Sequence, residues 1–218
     1  VTLLLALGVP CSAQLGVILG MFAGLPAIYF LIWMVLLAVI LVVVGYLAAL
    51  VLPGEGSDFI LEIPPLRIPQ FSNIAVKTLA RIEWYLKEAV PLFILGTFIL
   101  FVLDKTKGLI LLERLTTPLI VSFLGLPAKT TEAFIIGFLR RDYGAAGLYV
   151  LAREGQLDSH QILVSLVTIT LFIPCIAQFF MMIKERGWKK TLWMSAVILP
   201  VAFGVGGMLN FLLKWIGI

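Results

Sequence analysis

AIYFLIWMVLLAVILVVVGYLAALVL, residues 27–52, runs for 26 positions without a charge. At 1.5 Å per residue a helix of this stretch is roughly 39 Å long, more than the ~30 Å hydrocarbon core of a bilayer. Leu, Val and Ile fall on every side of it, so a helix here has no face to offer water. Working outward, no charged residue precedes Glu55. The 218-residue chain is 61% hydrophobic and 13% charged, about half the ~25% charge of ordinary soluble domains, and its mean hydropathy is +1.12. These figures exclude a soluble globular domain, a disordered chain and a secreted disulfide scaffold. The fold class that remains is all-α, a polytopic transmembrane helical bundle. Net charge is +4 with 16 Lys and Arg; the basic residues flank apolar runs, so they read as membrane orientation and not as a nucleic-acid surface.

The rest of the chain divides around that span. Residues 1–52 hold a first apolar helix over 3–22, interrupted at Pro10, a tight turn at Phe22–Pro26, and the span just quoted. Val1 opens inside an apolar run without a basic leader, which reads as a chain entered part-way through a longer membrane protein. Residues 53–110 begin with a Gly- and Pro-rich stretch (Pro53, Gly54, Gly56, Pro64, Pro65, Pro69) that should be extended, because proline removes donors and biases its predecessor away from helix. Ala75, Leu79, Ile82, Leu86 and Ala89 then form a stripe at helical spacing, with Lys77, Arg81, Lys87 and Glu88 off it and Trp84 and Tyr85 suited to a headgroup interface. This predicts an interfacial amphipathic helix over 72–90, and a short third span from Pro91 to Leu103. Residues 111–218 carry the apolar run Leu115–Leu126, too short to cross alone, a helix near Glu132 capped by Thr130 or Thr131, and two uncharged spans, 159–183 and 191–213. The basic loop Lys184–Lys190 between the last two marks the cytoplasmic side. The lone His160, in the polar entry Asp158-Ser159-His160-Gln161, reads as a helix-start residue rather than a ligand.

Arg140, Arg141 and Asp142 are out of place: they interrupt the apolar stretch 132–152, and charges at depth do not face lipid. Either this segment is a re-entrant hairpin or the two arginines end a short helix.

An internal repeat carries the functional argument. Val9-Pro10-Cys11-Ser12-Ala13-Gln14-Leu15 matches Ile173-Pro174-Cys175-Ile176-Ala177-Gln178-Phe179, and both cysteines of the chain fall in this context. A proline inside a helix removes one backbone bond and clashes with the turn before it, which frees carbonyls around residues 6 and 170. Freed backbone at membrane depth is tolerated only where it is buried in protein or lines a cavity. Cys11 with Gln14, and Cys175 with Gln178, stand three apart and share a helix face. Two proline-broken helices that present thiols, carboxamides and freed carbonyls suit a transient divalent transition-metal site, since thiolate favours zinc, copper(I) and iron over magnesium or calcium. The plain alternative is a pair of kinks whose small neighbours allow close helix packing. No Ser-His-Asp, Cys-His, paired-carboxylate or HExxH arrangement and no phosphate loop occurs in the sequence, so no catalytic chemistry is expected from these residues.

The Pro-Cys-x-Ala pair, the stretch Phe59–Pro69 with the helix after it, and Gly137-Phe138-Leu139-Arg140-Arg141-Asp142 before the second motif together resemble the membrane domain of the bacterial ferrous iron transporter B family. The order of these features is the family's, although the sequence has an extra Arg beside Asp142, where an acidic residue is usual. The resemblance implies that Fe²⁺ is the transported substrate, crossing the cytoplasmic membrane of a bacterium or archaeon through a multi-pass permease. It implies gate residues Pro10, Cys11, Ser12, Gln14, Pro174, Cys175 and Gln178, with the cysteines as pore ligands and Ser12, Gln14 and Gln178 supplying oxygen. Asp142 would compensate charge, and Arg140 and Arg141 would position it or the gate. It further implies an N-terminal GTP-binding domain using GTP and Mg²⁺, earlier membrane helices, a small cytoplasmic accessory protein and homo-oligomers, with lipid as the surrounding partner and no nucleic acid. Family topology inverts the two gate helices. With Lys184–Lys190 cytoplasmic, residues 132–152 would then re-enter rather than cross.

Two competing readings are distinguishable. An organic-solute transporter of nucleoside type should hold paired acids and aromatics at mid-bilayer, where Asp142 is the lone acid candidate; a permease for Mn²⁺ or Zn²⁺ would use the same ligands. A membrane scaffold in which the kinks only pack helices would bind no metal.

Overall fold

The computed structural model describes residues 10–51, 70–106, 108–172 and 175–216. The described residues are helical throughout, with short connections: α1 (Ser12–Phe22), α2 (Ala27–Val51), α3 (Phe71–Lys105), α4 (Gly108–Leu124), α5 (Thr130–Leu139), α6 (Arg141–Arg153), α7 (Ser159–Leu171), α8 (Ile176–Arg186) and α9 (Trp188–Ile216). The apolar start of the chain before Pro10 and the Pro-rich stretch 53–69 lie outside the described residues, as does Pro174.

α7 is the centre of the bundle. Every residue from Ile162 to Leu171 is buried, which an apolar helix with no polar face achieves only when neighbours surround it. Its Ser165, Thr168 and Thr170 hydroxyls are satisfied within the helix, each donating to the carbonyl four residues back (Gln161, Val164 and Leu166) at 2.6–2.7 Å. The start of α7 is fixed by Gln161: its Oε1 accepts from Asp158 N (3.1 Å) while its Nε2 donates to the Gly125 carbonyl (3.1 Å). His160 sits in this first turn as expected, its ring edge-on to Tyr29 at 5.8 Å.

Small residues set the helix spacing. Gly206 of α9 faces Thr168 of α7 and Leu124 of α4, and a Cβ there would overlap both. The neighbouring Gly207 leaves room for the Phe123 ring. Small-residue contacts of this kind let helices approach closely where lipid supplies no hydrophobic drive for association.

Among the described residues two helices are long and apolar enough to cross a bilayer, Ala27–Leu47 and Trp188–Trp215. Most of their apolar side chains face outward: Val42, Tyr46, Leu50, Met208 and Phe211 are all more than half exposed. An outward apolar surface on this scale belongs to a membrane protein.

Several expectations change. Pro91 does not begin a new span; it lies inside the 35-residue helix α3, roughly 52 Å long. A proline costs one bond and one clash, and this helix absorbs both without ending. Among the described residues the stripe on its first half is left largely uncovered, with Leu79, Ile82 and Leu86 at 65%, 48% and 55% exposure. Residues 159–183 are two helices rather than one span, separated at Phe172–Cys175. The basic segment 184–190 is not a loop: α8 runs through Arg186, Gly187 turns the chain at φ +81, and α9 begins at Trp188. Neither Thr130 nor Thr131 caps α5; Lys129 holds that position, and the Thr130 hydroxyl donates to the Pro127 carbonyl at 2.7 Å.

The segment 132–152 is a helical hairpin. α5 ends at Leu139, Arg140 is extended (φ −144, ψ 111), and α6 starts at Arg141. Pairing of Ala133 with Gly147 and of Gly137 with Gly144 makes the two helices antiparallel, and at Gly144 a Cβ would run into the Gly137 backbone and the Ala133 carbonyl. Arg140 thus ends one helix, Arg141 begins the next, and the chain doubles back between them.

Candidate metal-permeation site

The two copies of the repeat adopt the same local conformation. Cys11 has φ −68 and ψ 159, Cys175 has φ −56 and ψ 159, and each is the residue from which an 11-residue helix departs. An extended residue at this position leaves the first N–H groups of the helix open to an acceptor. In the first copy the cysteine itself serves: Gln14 N donates to Cys11 Sγ at 3.4 Å. Pro10 and Cys11 stand just before α1, and the part of the expected first helix before Pro10 lies outside the described residues.

Beyond the backbone the copies diverge. Cys11 and Ser12 are exposed, and Gln14 is fully buried. The expected shared face for Cys11 and Gln14 is therefore split, because Cys11 is a cap residue outside the helical register. Cys175 and Gln178 are both half-buried.

Gln14 reaches across the bundle. Its Nε2 donates to the Ile169 carbonyl of α7 at 3.4 Å, and its Oε1 is buried with no partner among the described residues. The last turn of α7 is also taken by Arg141, which is 5% exposed. Its guanidinium donates to the Thr170 carbonyl (3.2 Å) and the Phe172 carbonyl (2.7 Å). These are the carbonyls near residue 170 that a proline at 174 deprives of intrahelical donors. The Phe172 ring is clasped edge-on between Phe134 of α5 (6.0 Å) and Phe203 of α9 (5.6 Å). Gly96 of α3 closes the far side, where a Cβ would meet Ile176 at 2.8 Å.

The three charged residues of 140–142 separate. Arg140 pairs outward with Asp142 (3.0 Å) and lies over the Tyr143 ring at 4.2 Å. Arg141 turns inward to the break. Adjacent residues flanking a helix start point in different directions, so residue type alone does not tell the two arginines apart. The structure thus brings Gln14 and Arg141 together at the end of α7 and leaves Arg140 and Asp142 as a separate pair. Among the described residues no group of three or more His, Cys, Asp or Glu side chains gathers as a ready metal site. The available donors are mixed: two thiols, one free carboxamide oxygen and backbone carbonyls.

The fold and site define a class, an all-α protein with apolar helices long enough to span a membrane. Residues 30–81 match the family model described as ferrous iron transport protein B C terminus. Residues 86–189 match the Gate model, described as nucleoside recognition, and this stretch contains the hairpin, the break and Cys175. The chain belongs, through these membrane domains, to the ferrous iron transport protein B family. No GTPase or other catalytic domain is detected within the 218 residues. The first Pro-Cys copy lies before both matched stretches. No curated protein and no solved structure matches the chain.

Proposed function

We propose that this chain is the permeation part of a ferrous iron transporter of the cytoplasmic membrane, acting with a GTP-binding domain elsewhere in the protein. One observation supports the reading: two cysteines in matching Pro-Cys-x-Ala-Gln settings each head an 11-residue helix from an extended backbone, and Gln14 of the first helix reaches the last turn of the central helix. Thiols and a free buried carboxamide oxygen suit a borderline-soft divalent cation such as Fe²⁺. Cys11 and Cys175 are the ligands, with Gln14, Gln178 and Ser12 supplying oxygen during passage. Fe²⁺ uptake by cells carrying the full-length protein should be abolished by Cys11→Ser together with Cys175→Ser. Undiminished uptake at normal expression would sink the ligand role.

A second reading follows from the printed description of the Gate family as nucleoside recognition. A nucleoside needs polar groups for ribose and a stacking platform for the base. Here the Phe172 ring is already held edge-on by Phe134 and by Phe203, which favours the metal. Competition of labelled Fe²⁺ uptake by excess Mn²⁺, Zn²⁺ or a nucleoside separates the cases.

A further inference from the structure

The broken end of α7 is where a cation would find oxygen, and a cation already stands there. The Thr170 and Phe172 carbonyls accept from the Arg141 guanidinium at 3.2 and 2.7 Å, and the Ile169 carbonyl accepts from Gln14. A carbonyl whose lone pairs are directed at a guanidinium is not presenting them to a metal ion. A fixed positive charge inside a low-dielectric bundle also repels a divalent cation more strongly than it would in water. Arginine stays protonated in proteins, so this charge is not lost by deprotonation. Its residue is the first of α6, and α6 is locked to α5 by the glycine contact at Gly137 and Gly144. The guanidinium is therefore held by a rigid hairpin and is not a wandering surface group.

We propose that Arg141 is a tethered stand-in for the transported cation: bonded to the Thr170 and Phe172 carbonyls it keeps the empty pathway closed, and a divalent metal ion binds there only as the guanidinium withdraws. The cost of leaving those carbonyls bare is avoided in the empty state by the arginine and in the loaded state by the metal. Cargo and gate then exclude one another, which closes the pathway to other ions whenever it is vacant. This rests on the metal-permease reading.

The test is equilibrium binding of Fe²⁺, kept reduced under anaerobic conditions, to the full-length protein in lipid. Arg141→Gln keeps a hydrogen-bond donor and removes the charge, so Fe²⁺ should bind at least about tenfold more tightly than to wild type. Arg141→Lys keeps the charge and should stay near the wild-type value. Unchanged or weaker binding by a folded Arg141→Gln protein overturns the proposal and leaves Arg141 a structural pin. If that variant does not fold, hydrogen exchange on the wild-type protein decides. Adding Fe²⁺ should change exchange in peptides spanning residues 139–143 and 169–175 together, and no change at 139–143 overturns the proposal. Cys11→Ser with Cys175→Ser separates the two layers. Loss of Fe²⁺ binding there, with Arg141→Gln no tighter than wild type, defeats the gate alone; binding retained without either thiol defeats the permease reading and the gate with it.

Discussion

The two Pro-Cys-x-Ala-Gln segments are the same by sequence and by backbone, and different in what surrounds them. The first sends its glutamine inward, fully buried, across to the Ile169 carbonyl of α7. The second begins where α7 stops, and its glutamine is half-buried. One copy thus reaches the break from outside, and the other grows out of it. The difference shows why a repeat need not be symmetric in function: the local motif sets where a helix starts, and packing decides what the side chain three residues on can touch. Gln14 is also the less comfortable of the pair, because its buried Oε1 lacks a partner among the described residues. A buried polar atom left this way costs about 1–3 kcal/mol, and such a cost persists where the atom has a task.

The comparison is broken most severely at Gly144. A methyl there would overlap the Gly137 backbone and the Ala133 carbonyl, and neither can move as a side-chain tip would. Gly144→Ala should lose about 1–3 kcal/mol or more, read as a fall in the unfolding midpoint in detergent. It should also lower Fe²⁺ uptake, because α6 carries Arg141 to the break.

Replacing each glutamine in turn sharpens the contrast. Gln14→Leu deletes one orphaned acceptor but leaves the Ile169 carbonyl without its donor, two opposed terms of about 1–3 kcal/mol each. The unfolding midpoint should therefore move little while uptake falls. Gln178→Leu, at a half-buried site, should change stability by about 0.5 kcal/mol or less. A large gain in stability for Gln14→Leu with full uptake would show Gln14 to be a packing residue only.

Smaller effects complete the series. Asp142→Asn removes a pair whose side chains are about 30% exposed, so it should cost under about 1 kcal/mol, less at high salt. Gly16 lies in the middle of α1 with no atom within 4 Å of an added Cβ. Gly16→Ala should stabilise the first copy by about 0.5–1 kcal/mol, visible as a small rise in midpoint. No gain would place another chain or lipid-bound partner against that face.

Much of the fold was legible because hydropathy is a local property. The run 27–52 gave α2, the entry Asp158–Gln161 gave the start of α7, and the charges at 140–142 marked a helix end. Pro91 reads as a boundary in the sequence, yet it lies inside α3, as Pro118 and Pro200 lie inside α4 and α9. One proline costs a helix about 3 kcal/mol, which neighbouring packing can outweigh. Absence of charge joins 159–183 into one stretch, while the expected interruption at Pro174 falls between the end of α7 at Leu171 and the start of α8 at Ile176.

What the sequence alone determined is the membrane class, the repeated Pro-Cys-x-Ala-Gln motif and the presence of charge within an apolar stretch, since each follows from residue type and spacing along the chain. Only the tertiary structure decided that Gln14 belongs to the end of α7, that Arg141 turns inward while Arg140 turns to Asp142, and that one hairpin fixes both. Those are contacts between residues up to 155 positions apart, and a contact of that range is set by how helices pack, through glycines at 137, 144 and 206, before any side chain's own preference can act.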